Sequence, residues 1–423
     1  MASDLEKASV MRVYREFLRT PYASRLLGGT LLGRLPNGMG ALAIVLFVRA
    51  HGGDYTLAGA LSAVYVIAMA VGQPVLGRAM DRLGQPGILL ASAVAAAAGF
   101  GVLAFGGLHP PAVAVGGVAL AGFATPPLEA GLRALWPDVL AGPAEVRTAY
   151  ALDAATQEMI FTFGPLLVVA AAAVSTELAL IVTGLLGVAG TLVVASSRPS
   201  RRWRGAPRAT DWAGPLRSPG LRMLMAALAC VGVALGVISV AVVTYADARH
   251  LANAAGVLLA ANAGGALCGG LVHGGGWFGV RNEQSARPAP ALLFTGLAAG
   301  YLPLVLTPAF PFMIVLAFLS GVFLAPTLAT SFTLVDSLAP RGTVTEAFAW
   351  VVTAMATGAA LGSAIAGVMG DLAGASGAFA CAGAGGVAAL GIILLGRPLL
   401  RPAPRNAVET AATIPNNSSE TFS

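Results

Sequence analysis

Gly77-Arg78-Ala79-Met80-Asp81-Arg82-Leu83-Gly84-Gln85-Pro86 is a short charged island between two apolar runs, near residues 55–77 and 86–107. A helix needs roughly 20 mostly apolar residues to cross about 30 Å of hydrocarbon, and each run is that long. The island leaves room only for a tight turn between two spans. The alternation continues outward in both directions. Runs near 24–49, 111–135, 148–173 and 177–197 complete a first set of six, and runs near 220–245, 251–273, 288–307, 310–334, 343–370 and 376–397 form a second. They are continuously apolar, whereas barrel strands alternate apolar and polar residues. The expected fold is therefore an all-α membrane protein with twelve transmembrane helices.

Composition agrees. Of 423 residues, 57% are hydrophobic and only 10% charged, against about a quarter charged in soluble domains. The 54 glycines and 26 prolines suit transmembrane helices better than soluble ones. A disordered chain, a collagen and a secreted disulfide scaffold are excluded on the same grounds. Cys230, Cys268 and Cys381 all lie inside apolar runs and read as free, packed thiols. The single lysine, Lys7, cannot complete a Walker loop. No His/Cys/Asp spacing resembles a metal site, so neither metal nor cofactor is expected. The net charge of +6 does not signal nucleic acid, because the basic residues lie between apolar runs rather than on one solvated face.

Those basic residues set the orientation. With the amino terminus inside, 22 of the 25 Lys and Arg fall on or around cytoplasmic segments, Arg49 and Arg249 fall outside, and Arg34 falls within a span. This split favours an even number of spans with both termini cytoplasmic. The expected organisation is a cytoplasmic segment 1–23, a six-helix half 24–197, a basic linker 198–219, a second six-helix half 220–400 and a disordered tail 401–423.

The halves resemble each other. Ala149-Tyr150-Ala151 matches Ala347-Phe348-Ala349 at an offset of 198, which also carries Gly164 onto Gly362 and Pro165 onto Ser363. An offset of 193 carries Gly72 and Gly77 onto Gly265 and Gly270. Parallel six-span repeats are a transporter design with the substrate site near mid-membrane between them.

The island at 77–86 resembles the G-x-x-x-D-R-x-G-R-R signature of the major facilitator superfamily, in the loop where that family carries it. Gly77, Asp81, Arg82 and Gly84 match; Gln85 and Pro86 stand where two basic residues are usual. Together with the spans, linker and repeat, the resemblance extends over about residues 20–400, to a twelve-span bacterial type. It implies two pseudo-symmetric bundles and a conformational latch at Gly77, Asp81, Arg82 and Gly84. Independently, Gly77 permits close backbone approach, Asp81 can accept from the start of a neighbouring helix, and Arg82 offers a planar fork to a carboxylate. The corresponding second-half loop, Gly270-Leu271-Val272-His273-Gly274, lacks the acid and the base, so it should latch poorly.

Ionisable groups in hydrocarbon are costly and usually functional or paired. They fall in the first half: Arg34, Glu129, Arg133, Asp153 and Glu158. Depth along the spans predicts a mid-membrane Arg34–Glu158 pair and a lower group of Arg133, Asp153 and Glu129. Two bases against three acids leave one carboxylate spare, which makes Glu158 and Asp153, with Arg34, the proton-coupling candidates. Gly164-Pro165 partly matches the family's antiport signature and predicts a bend in span five. Tyr65, Gln73, Gln157, Asn262, Thr353 and Thr357 are expected to line a cavity or to bond between helices.

The expected function is secondary active transport of a small organic solute by alternating access, as proton-coupled export of amphipathic compounds from a bacterial plasma membrane. The expected protein is a monomer in the lipid bilayer, not an enzyme. Two readings compete: a proton-coupled uptake permease for sugars, amino acids or metabolites, and, from another class, a polytopic membrane enzyme. The latter would need carboxylate clusters at an aqueous face, and no D-x-x-x-D run appears.

Overall fold

A computed structural model describes residues 19–206, 213–251, 254–274 and 290–400, apart from the side chains of Tyr55, Glu158, Phe161 and Thr162. The expected disordered tail and most of the amino-terminal segment lie outside the described residues. Those described are all-helical, without strands. The first half contains α1 (Ala23–Ala50), α2 (Tyr55–Leu83), α3 (Gln85–Gly106), α4 (Pro111–Phe123), α5 (Leu128–Val139), α6 (Pro143–Ala172) and α7 (Thr176–Ala195). After the short linker helix α8 (Arg198–Arg202) come α9 (Pro219–Ala248), α10 (Ala254–Gly274), α11 (Pro290–Tyr301), α12 (Phe310–Val322), α13 (Leu324–Leu338) and α14 (Val344–Leu395).

Among the described residues nine helices are long and apolar enough to cross a membrane. Each of the twelve expected segments nevertheless has a helical counterpart. The 52-residue α14 holds two of them, separated at Gly374, whose φ of 66° and ψ of −165° interrupt the helix. The 30-residue α6 carries the ionisable residues of span five, and α11 with its 3₁₀ extension spans Pro290–Leu306. Conversely, α4 and α5 form one segment broken at Thr125-Pro126-Pro127, and α12 and α13 form another broken at Phe323. In hydrocarbon every backbone group must be satisfied within the segment or its packing, and some helix starts use short polar caps. Asp54 accepts from Leu57 N at 2.7 Å and Ser175 from Leu178 N at 3.0 Å.

The sequence repeat is visible in the packing. A Cβ at Gly72 would lie 2.0 Å from Phe123 O, and one at Gly265 would lie 1.9 Å from Phe318 O. The matched glycines are thus the points where α2 meets α4 and α10 meets α12. Likewise Gly164 abuts Gly38 of α1, and Gly362 abuts Val233 of α9. A further match emerges from contact: Gly122 packs on the backbone of Tyr65 and Gly321 on that of Asn262. That offset of 199 also aligns Pro127 with Pro326, Glu129 with Leu328 and Arg133 with Phe332.

The loop 77–86, the linker and the starts of α6 and α14 gather at one end of the bundle, called the basic end below. There Gly84, with φ of 89°, makes the one-residue turn from α2 into α3. Only glycine adopts that region without strain.

Candidate functional site

The buried ionisable groups of the first half form one closed ring. Arg34 donates from Nη2 to Glu129 Oε2 at 2.6 Å and from Nη1 to Asp153 Oδ1 at 3.2 Å. Arg133 donates from Nε to Asp153 Oδ2 at 2.7 Å and is ion-paired through Nη2 with Glu129 Oε1. Each carboxylate spends one oxygen on each guanidinium. The four side chains are at most one-tenth exposed, and two positive against two negative charges leave the ring neutral.

This corrects the expected two-level arrangement. Glu129, Arg133 and Asp153 do not sit as a separate lower group; both terminal nitrogens of Arg34 engage Glu129 and Asp153. The reason is helix azimuth. Glu129 and Arg133, four residues apart on α5, share a face, and α5 packs where α1 and α6 bring Arg34 and Asp153 together. The Glu158 side chain, expected to pair with Arg34, lies outside the described residues.

Arg133 has a second set of neighbours across the boundary between halves. Its guanidinium carbon stands 3.5 Å from the centroid of the Phe332 ring on α13 and 5.9 Å from that of Phe348 on α14. Tyr150, Phe332 and Phe348 form a triangle with centroid separations of 6.0, 6.1 and 6.2 Å. The Tyr150 hydroxyl donates to Arg133 O at 3.2 Å.

At the basic end, Asp81 Oδ1 accepts from Thr345 N at 3.1 Å and Oδ2 from Glu346 N at 2.8 Å. Thr343, at the start of α14, makes no capping bond itself, so an acid from the opposite half satisfies amides that α14 leaves free. Arg78 Nε donates to Glu346 Oε1 at 3.0 Å. A Cβ on Gly77 would lie 3.0 Å from Ala349 Cβ and 3.2 Å from Glu346 Cα, which explains the glycine. Arg82 is exposed, so the carboxylate expected for it is taken by Arg78, one turn earlier. Gln85, at a position left without a role, is fully buried. It donates to Gly131 O at 3.0 Å and accepts from Ser200 Oγ at 3.3 Å, pinning the linker helix beneath the first half.

The sequence profile of the Major Facilitator Superfamily matches residues 26–282. The chain belongs to that superfamily. It is accordingly a multi-pass membrane transporter. No curated relative matches it, but solved structures share its fold. The human organic anion transporter MFSD10 (TETRAN) is similar with a TM-score of 0.58 at 17% identity, covering 94% of this chain and 99% of that one. A bacterial homologue of the iron transporter ferroportin, in its outward-facing state, gives a TM-score of 0.68 at 14% identity, covering 89% and 99%. The same homologue soaked with iron gives 0.63 at 13% identity, covering 88% and 98%.

In this Major Facilitator Superfamily chain several other polar candidates bond between helices. Gln73 donates to Thr125 O at 3.1 Å, Asn262 to Ser320 Oγ at 2.9 Å and Tyr65 to Pro36 O at 3.4 Å. Thr353 joins the halves through Ala70 O at 2.9 Å. α6 continues as one helix through Gly164-Pro165, and Gly164 serves as the packing point for α1. Two open spaces flank these helices. A groove of about 720 Å³ between α1 and α6 is lined by Leu31, Leu35, Met159, Phe163, Leu166 and neighbouring apolar residues. A smaller space of about 310 Å³ between α9 and α14 includes Trp350, Thr353 and Thr357. Sequence reasoning missed Arg78, Phe332 and Phe348 as members of the site. The offset that carries Tyr150 onto Phe348 was the one available hint.

Proposed function

We propose that the protein exports small amphipathic organic molecules by alternating access, driven by inward proton movement, across a bacterial plasma membrane. The basic end is the cytoplasmic one, in keeping with the positive-inside rule. With Asp81 and Arg78 closing that end against α14, the conformation reads as outward-facing. The chain works as a monomer without a cofactor.

One observation carries the coupling. The second half places apolar residues where the first half places ring members: Leu328 for Glu129, Phe332 for Arg133 and Val351 for Asp153, all buried. Replacing a buried ion network by apolar residues of similar volume is often neutral or stabilising. A scaffold that packs without the charges in one half retains them in the other for a task beyond folding. A buried carboxylate that exchanges its arginine for a proton when the halves rock would perform that task, since low dielectric favours its neutral form. Asp153, a member of the ring, is one candidate for the coupling carboxylate, and Glu158, five residues farther along α6, is the other. The apolar lining of the groove between α1 and α6 favours amphipathic cargo over sugars, and the inter-helix bonding of Gln73 and Asn262 leaves them little part in recognising a polar metabolite.

The test is flux of a panel of lipophilic fluorescent dyes in proteoliposomes with an imposed pH gradient. Wild-type protein should concentrate at least one dye against its gradient. Asp153→Asn and Glu158→Gln should each be assayed for uphill flux and for dye exchange without a gradient. Loss of uphill flux with exchange retained identifies the coupling acid. Uphill transport by both variants places coupling elsewhere.

A further inference from the structure

Arg133 and Phe332 occupy matched positions of the two halves, yet they touch, with the guanidinium carbon 3.5 Å from the ring centroid. Tyr150 and Phe348, also matched, have ring centroids 6.1 Å apart. Residues related by a pseudo-two-fold rotation can meet only close to its axis. The ring of charges therefore ends, on its second-half side, in an aromatic face supplied by the opposite bundle at the axis itself. Phe348 follows Glu346 of the basic-end junction by two residues, so this layer lies directly membraneward of Asp81 and Arg78.

We propose that Phe332 is the inner gate of the ion ring, a positioning residue that holds Arg133 between Glu129 and Asp153 while the basic end is closed. Rocking the halves apart at that end withdraws the ring face, strips Arg133 of one side of its surroundings and admits water to the carboxylates. The groups around Arg133 are Arg34 of α1 across the ring, Glu129 of α5, Asp153 and Tyr150 of α6, Phe332 of α13 and Phe348 of α14. Among them Phe332 is the second-half group in closest contact with the guanidinium. A cation over an aromatic face is stabilised most when both are desolvated, and Phe332 is 1% exposed. The inference rests on the alternating-access reading, but its test needs no transported substrate.

The experiment uses the full chain in liposomes, with Cys230, Cys268 and Cys381 replaced and a single reporter, Thr345→Cys. Thr345 is fully buried in the closed junction, so its reaction rate with N-ethylmaleimide reports opening of the basic end. Phe332→Leu should raise that rate roughly tenfold, the order supplied by a desolvated cation–π contact. Phe332→Tyr, which keeps the ring face, should stay within about threefold of the parent by the same reasoning. Phe348→Leu, equally buried but farther from the guanidinium, should raise the rate less than Phe332→Leu. Phe332→Met replaces the leucine variant if that protein is not monodisperse. A parent rate in Phe332→Leu (or Phe332→Met), a leucine-like rate in Phe332→Tyr, or equal effects at Phe332 and Phe348 would each overturn the proposal. Absence of proton-driven dye flux in the wild type would remove the export reading alone, because the labelling rates do not depend on it.

Discussion

Two junctions join the halves at the basic end, and the repeat makes them counterparts. In one, the loop after α2 meets the start of α14. In the other, the end of α10 meets the start of α6. Gly77 and Gly270 mark the close approach in each, Gly270 against Ala325, Ala155 and Ala151. The chemistry then parts. Asp81 corresponds to Gly274, Glu346 to Thr148 and Arg78 to Leu271. The first junction holds two hydrogen bonds to a carboxylate and an ion pair, whereas at the second the Thr148 hydroxyl donates to Gly274 O at 2.9 Å. Hydrogen bonds to charged groups contribute about 1.5–3 kcal/mol against 0.5–1.5 for neutral ones. The carboxylate-centred bonds described at this end thus lie between α2 and α14, which should make that side the stronger.

The sharpest contrast between halves is the ring, so removing one of its members should have the largest effect. Asp153→Ala leaves two buried guanidinium groups facing one carboxylate, and breaking such a network costs about 3–5 kcal/mol. Its counterpart Val351→Ala removes only apolar contact, about 1.5–3 kcal/mol on the scale of burying a valine side chain. Thermal unfolding of the two variants in the same detergent checks the order. A larger loss in Val351→Ala would mean the charges are no more than packing.

Next in size is the stronger junction. Asp81→Ala should favour opening of the basic end by about 1.5–3 kcal/mol, while Thr148→Val should do so by about 0.5–1.5. Reaction of the Thr345→Cys reporter with maleimide measures both. Equal effects would erase the asymmetry argued above. Arg78→Ala should also favour opening by about 1.5–3 kcal/mol, because, although Arg78 is about a third exposed, its partner Glu346 is fully buried and would lose that guanidinium. The smallest change belongs to Arg82→Ala. Exposed on the surface of the turn, it should alter labelling by no more than about 0.5 kcal/mol, the usual range for surface substitutions. An Arg82 effect exceeding that of Arg78 would restore the role that the motif assigns to it.

Much of this is legible in the amino-acid sequence. Long apolar runs can satisfy their backbone only as helices in lipid, so the segments followed from composition and length. Gly72, Gly77, Gly164 and their partners announced the repeat, because a helix contact without room for Cβ leaves a glycine at the same place in both copies. Asp81 was readable too, since an acid in a tight turn suits the amides of a helix start. Arg78 was not, for it and Arg82 stand one turn apart and only the direction of α2 against α14 decides which faces Glu346. The ring was legible in membership but not in wiring. Arg34 and Asp153 are separated by 119 positions, and which carboxylate meets which guanidinium depends on rotations of α1, α5 and α6 about their own axes.

The amino-acid sequence by itself determined that this chain is a helical membrane protein of two related halves with its mid-span ionisable residues confined to the first. Hydrocarbon imposes those properties residue by residue, through span length and the cost of an unpaired charge. The tertiary structure alone decided that the charges close into a neutral ring, that an acid of one half caps a helix of the other, and that Arg133 rests on Phe332. Each depends on the relative azimuth and crossing of helices distant in the chain, which side-chain packing sets and no local pattern encodes.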